Sequence, residues 1–125
     1  MISLRFNFRL LSKDNEKIRN RQGRYFLTDK FKLFERAIKI EAKKQYKGKM
    51  LKGNLGEEVR VYYTNKVHPD TTNLFKSLND ALQEICYKND RQIKKASIEL
   101  CEKAEKDWFE VEIYELKGGG LNGLH

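Results

Sequence analysis

Between His68 and Ile93 the chain reads HPDTTNLFKSLNDALQEICYKNDRQI, which sets Asp70, Asn73, Lys76, Asp80 and Asp90 around one short helix. An aspartate entering a helix, a lysine about two turns along it and an aspartate in the loop beyond are groups that could converge to hold a divalent cation beside a phosphate. Each also has a plainer reading. Asp70 after Pro69 is a common helix cap, Lys76 and Asp80 at i, i+4 form a solvated helix face, and Asn89 with Asp90 closes a turn.

The charge distribution bears on that choice. The 125 residues carry a net +8, but residues 1 to 69 hold +11 and residues 70 to 125 hold −3. A basic first part suits a polyanion and an acidic second part suits a cation. A pI near 9.5 taken alone fits nucleic acid, an anionic membrane surface or a solvated exterior equally well.

The elements that must position these groups can be read from periodicity. Ile2, Leu4, Phe6, Phe8 and Leu10 alternate with polar residues as a half-buried strand. A polar segment from Ser12 to Gly23 precedes a short apolar patch, Tyr25-Phe26-Leu27, that suits a second brief strand. Thr28 caps an amphipathic helix whose apolar face is Phe31, Phe34, Ile38 and Ala42, running to about Tyr46. Beyond a glycine-punctuated loop, Val59, Val61 and Tyr63 alternate as another strand. A helix from about Thr71 to Tyr87 buries Leu74, Leu78, Ala81, Leu82 and Ile85 and turns Asn73, Lys76, Ser77 and Asp80 outward. Ile93 to Cys101 and Trp108 to Glu115 read as an antiparallel hairpin across a charged turn.

The order β-α-β-α-β-β predicts a small α/β (α+β) domain with a mixed sheet, covering residues 1–116, followed by a flexible glycine-rich tail at 117–125. No apolar run approaches the roughly 20 residues that cross a bilayer, and the N-terminus lacks a signal-peptide core, so the expectation is a soluble, cytoplasmic chain with no membrane partner. Cys86 and Cys101 are expected as reduced thiols, and His68 and His125 are too few for a histidine-rich metal centre.

The central stretch resembles the RusA family of Holliday junction resolvases, whose signature is approximately P-D-x-D-N-x-x-K-x-x-x-D-A-L followed by D-D-x-Q and an apolar residue. Here it stands as Pro69-Asp70-Thr71-Thr72-Asn73, Lys76, Asp80-Ala81-Leu82, then Asn89-Asp90-Arg91-Gln92-Ile93. The resemblance implies a homodimeric, metal-dependent endodeoxyribonuclease that cuts four-way and other branched DNA by paired symmetric nicks. It assigns Asp70 and Asp90 as ligands of Mg2+, with Mn2+ the other candidate metal, and Lys76 as the cation beside the attacked phosphate. Two family carboxylates are missing, replaced by Thr72 and Asn89. Thr72, Asn73, Asp80 and Asn89 are assigned supporting roles around the site.

For DNA contact the sequence offers Arg19, Arg21 and Arg24 around Gly23, with Tyr25 alongside, together with Lys66 and Lys76. An ordinary solvated loop is the alternative for the arginines. The lost carboxylates leave a second functional class open, a branched-DNA-binding module of the same fold that cuts weakly or not at all. A third class, an RNA-directed nuclease or binder, has no recognised 2′-hydroxyl reader in the sequence.

Overall fold

A computed structural model describes residues 1–13 and 17–117. Its main sheet has four strands, β1 (Ile2–Phe6), β4 (Leu55–Tyr62), β5 (Ile93–Cys101) and β6 (Trp108–Glu115), in the order β1-β6-β4-β5. β6 is antiparallel to both β1 and β4, whereas β5 runs parallel to β4. A separate two-stranded sheet pairs β2 (Lys17–Arg19) with β3 (Tyr25–Leu27). The small α+β domain with a mixed sheet therefore stands as the sequence predicts.

The helices follow from their sequence signals. Thr28 accepts a hydrogen bond from the Phe31 amide at 3.1 Å and opens α1 (Asp29–Gln45), which buries Phe31, Phe34, Ile38 and Ala42. Lys43 and Lys44 in its last turn favour the negative end of the helix dipole. The second helix, α2 (Thr71–Leu82), buries Leu74, Leu78, Ala81 and Leu82. These faces meet Ile2, Leu4, Phe6, Val59, Val61, Phe109, Val111 and Ile113 from the sheet in one apolar core. The stacked Phe6 and Phe109 rings, 4.7 Å apart, join β1 to β6 within it.

The structure differs from the sequence reading in several places, beginning with strand ends: β1 stops at Phe6 rather than Leu10, and β4 starts at Leu55, within the stretch expected to be a glycine-punctuated loop. β5 and β6 do not form a hairpin; they flank β4, which fills the centre of the sheet. The physical reason is burial, since β4 turns Leu55, Val59 and Val61 into the core while β5 is exposed along most of its length and suits an edge. Helix α2 ends at Leu82, because Gln83 is already extended and Glu84 sits at φ 70°. Ser77 is buried, with its hydroxyl donating to the Leu11 carbonyl at 2.7 Å. Residues 17–19, expected within a polar loop, form β2. Cys86 is buried, Cys101 is exposed, and both are free thiols. Of the expected C-terminal tail only Lys117 falls within the described residues.

Candidate active site

β4 delivers the chain to the N-terminal end of α2. Tyr63, just past the strand, is buried, and its hydroxyl donates to the Leu10 carbonyl at 2.9 Å. Its ring carries the Arg9 guanidinium at 4.5 Å and stacks with the His68 imidazole at 5.2 Å. Arg9 also donates to the Val67 carbonyl at 2.6 Å and pairs with Asp107 at 3.5 Å. Asp107 in turn accepts from the Thr64 amide at 2.8 Å. His68 is held by Glu102 at 3.2 Å. The loop that presents Asp70 is thus pinned from both sides.

Asp70 occupies the N-cap position of α2, and its carbonyl accepts from the Leu74 amide at 3.1 Å. Its side chain makes no capping hydrogen bond. The plain cap reading therefore leaves the carboxylate unexplained, exposed beside the exposed Thr72 and the partly exposed Asn73. Lys76 is also exposed and lines a cleft of about 300 Å³ with Lys13, Tyr25, Phe26 and Leu27. Asp80 pairs with Lys13 at 3.4 Å, which draws Lys13 to this face of the helix.

Asp90 lies elsewhere. Its backbone amide donates to the Gln83 side chain at 2.9 Å, at the C-terminal end of α2. Asn89 opens the 3₁₀ turn Asp90–Gln92, its side chain accepting from the Arg91 amide at 2.8 Å. The Gln92 carboxamide accepts from the Asn89 and Lys88 amides and donates to the carbonyls of Leu51 and Gly53. Gln92 thereby ties the turn to the loop before β4, a role the residue pattern alone did not signal. Twelve residues of helix, about 18 Å at the α-helical rise, separate the two ends, so one chain does not bring Asp70 and Asp90 together.

Glu57 is a further acidic group that sequence reasoning passed over. It points inward from β4, is fully buried, and neither carboxylate oxygen has a hydrogen-bond partner. Burial pushes its pKa up to about 7, and the neighbouring Asn79 side chain pulls it only part of the way back. The Asn79 carbonyl oxygen is instead engaged by the Tyr87 hydroxyl at 3.0 Å. The visible signal was a carboxylate in the apolar register of Leu55, Val59 and Val61.

The basic loop is an ordered hairpin tip. Asn20 accepts from the Gln22 and Arg24 amides at 3.0 and 2.9 Å, and Gly23 at φ 81° completes the turn. Arg19, Arg21 and Arg24 are exposed on it, with the Arg19 guanidinium 5.7 Å from the centre of the Tyr25 ring. Lys66 is exposed on the loop before Asp70. Tyr25 and Phe26 are 66% and 46% exposed, so the wing presents aromatic surface flanked by cations.

Magnesium takes about six hard oxygens, usually with one or two carboxylates among them. At the N-terminal end of α2 one chain offers Asp70, with Thr72 and Asn73 as neutral neighbours. No three His, Cys, Asp or Glu side chains cluster around a possible ion among the described residues.

A small α+β domain here carries an uncommitted aspartate at a helix end, a lysine about two turns on and a basic aromatic wing, groups chemically suited to handling a phosphodiester. The family model described as Endodeoxyribonuclease RusA matches residues 7–114, and the chain belongs to that family of Holliday-junction-resolving nucleases. Nucleases of the family generally depend on a divalent metal. No curated protein matches the chain.

Proposed function

We propose that this protein is a magnesium-dependent, structure-selective endodeoxyribonuclease that resolves four-way DNA junctions as a homodimer, by paired symmetric nicks. The observation that carries the reading is the Asp70 carboxylate, set at the start of α2 and not spent on capping it. Lys76 is the cation that steadies the attacked phosphate, and the wing with Arg19, Arg21, Arg24 and Tyr25 holds the flanking strand. Lys66 extends that basic surface toward Asp70.

The dimer has a specific task. Because Asp70 and Asp90 stand at opposite ends of α2, a twofold axis that sets two α2 helices antiparallel would place one chain's Asp70 beside its partner's Asp90. Thr72, Asn73 and Asp80 then support the Asp70 end, and Asn89 shapes the turn that carries Asp90.

A weakened or binding-only protein is favoured by one observation, the use of the Asn89 side chain to close its own turn rather than to face a ligand. Cleavage of a labelled synthetic four-way junction, with and without Mg2+ or Mn2+, tests both readings. Metal-dependent symmetric cuts that vanish in Asp70→Asn support the nuclease. Tight, salt-sensitive binding without cuts, with Thr72→Asp gaining activity, supports the weakened site.

A further inference from the structure

A second cleft, of about 230 Å³, is lined by Arg9, Leu11, Ser12, Lys30, Val67, His68 and Pro69. Ser12 is its most informative residue. It is 1% exposed, and its hydroxyl has no hydrogen-bond partner. A buried hydroxyl left unpaired costs free energy, so the site is incomplete as it stands. Arg9, Ser12, Lys30 and His68 give the cleft a cationic and polar side, opposite the apolar Leu11, Val67 and Pro69, and Arg9 is fixed there by the Tyr63 ring, the Val67 carbonyl and Asp107, with further guanidinium N–H groups to give. Lys30 rises from the first turn of α1, and His68 is set in place by Glu102 and Tyr63. Pro69 forms one wall, and the next residue is Asp70.

We propose that this cleft is a phosphodiester subsite that takes the DNA backbone phosphate adjoining the one attacked beside Asp70, with the Ser12 hydroxyl and the Arg9 guanidinium as its donors. The inference rests on the nuclease reading and deepens it. The ligand chemistry follows from the polar side of the lining: a small anion satisfies the orphan hydroxyl and takes up the remaining N–H groups of the fixed guanidinium, whereas an apolar group would leave the hydroxyl unpaired. The neighbouring cleft, with its aromatic lining, suits a base or sugar, so the two together fix the path of one strand across the start of α2.

The test is a chemical double-mutant cycle on binding, measured with a synthetic four-way junction without divalent metal. Neutral methylphosphonates replace single phosphates, one at a time, on both sides of the cut. At one position next to the cut the wild-type protein is expected to lose about tenfold in affinity, the scale of one charge-assisted hydrogen bond. Ser12→Ala is expected to bind the unmodified junction about tenfold more weakly and to be indifferent to that same replacement. Its thermal midpoint should not fall, because no protein hydrogen bond is lost. Lys30→Gln should lower the slope of log affinity against log salt by about one phosphate contact. Losses that simply add at every position, or a Ser12→Ala protein that binds like wild type, overturn the subsite while leaving a junction-cutting enzyme intact. A wild-type protein that neither binds nor cuts junctions overturns both readings.

Discussion

Asp70 and Asp90 bracket a single helix: one occupies its N-cap position with its carboxylate uncommitted, and the other hangs from Gln83 at its last turn. A site shared between two chains makes a prediction that a site within one chain cannot imitate. Asp70→Asn and Asp90→Asn homodimers should each be inactive, yet their mixture should recover about a quarter of wild-type nicking. Half of the randomly formed dimers are mixed, and each of those keeps one intact site. The products should be single nicks rather than paired cuts. A mixture as inactive as its components, in dimers shown by sedimentation to exchange, would mean that the two carboxylates do not cooperate across the axis.

Gln92 controls where Asp90 sits. Its carboxamide makes four hydrogen bonds, to the amides of Lys88 and Asn89 and to the carbonyls of Leu51 and Gly53. Gln92→Ala frees the turn from the loop before β4 and should cost roughly 1–3 kcal/mol in urea unfolding. Cleavage should fall further than stability accounts for, since the turn that carries Asp90 loses its anchor. Equal activity per folded molecule would show that the position of Asp90 is set by other contacts.

The aromatic wing separates binding from folding. Tyr25 and Phe26 are largely exposed and contribute little to the core, so Tyr25→Ala with Phe26→Ala should leave the unfolding midpoint nearly unchanged. Affinity for single-stranded and junction DNA should drop by about tenfold, because stacking on aromatic rings is a substantial part of such binding. Tyr25→Phe should retain most of it. Fluorescence anisotropy with labelled DNA distinguishes these outcomes.

How far the sequence announced this arrangement depends on whether the signal was local. α1 carries its periodicity and cap within its own residues and was legible, as were the alternations at Ile2–Phe6 and Val59–Val61; the first half of β4, Leu55–Glu58, was not, because Gly53 and Gly56 read as loop. The pairing of strands was not, because a six-residue link between β5 and β6 looks like a hairpin until β4 claims the place between them. One cross-strand clue existed: Arg60 bonds both Glu110 and Glu112, at 2.7 and 2.8 Å, and that alternation of acids matches a basic partner strand. The end of α2 was hidden by Ile85 and Cys86, which prolong the apolar rhythm with no glycine or proline to mark the break. The same hidden break conceals the separation of Asp70 from Asp90: motif spacing gives the residues but not the direction in which the chain leaves the helix. Ser12 and Glu57 acquire meaning only from burial, which no spacing encodes.

Glu57 gives the fold a pH dependence of definite sign. Its carboxyl is raised from 4.5 to about 7 by burial, among Asn79 of α2 and the Cys86 and Tyr87 side chains, whose own pKa values are pushed upward by burial first and by Glu57 second. Between pH 4.5 and 7 the folded chain holds a proton that the unfolded chain has released, so stability falls as pH rises through that window. The full effect is about 3 kcal/mol, present below the lower value and lost above the upper one. Glu57→Gln keeps the shape and removes the charge, so it should flatten this part of the profile and raise stability at pH 8 by roughly 1–3 kcal/mol. Urea unfolding at pH 5, 6, 7 and 8 measures both slopes. A wild-type profile with no downward slope between pH 5 and 7 relative to the variant would mean that Glu57 ionises without penalty, and hence that water or a cation reaches it.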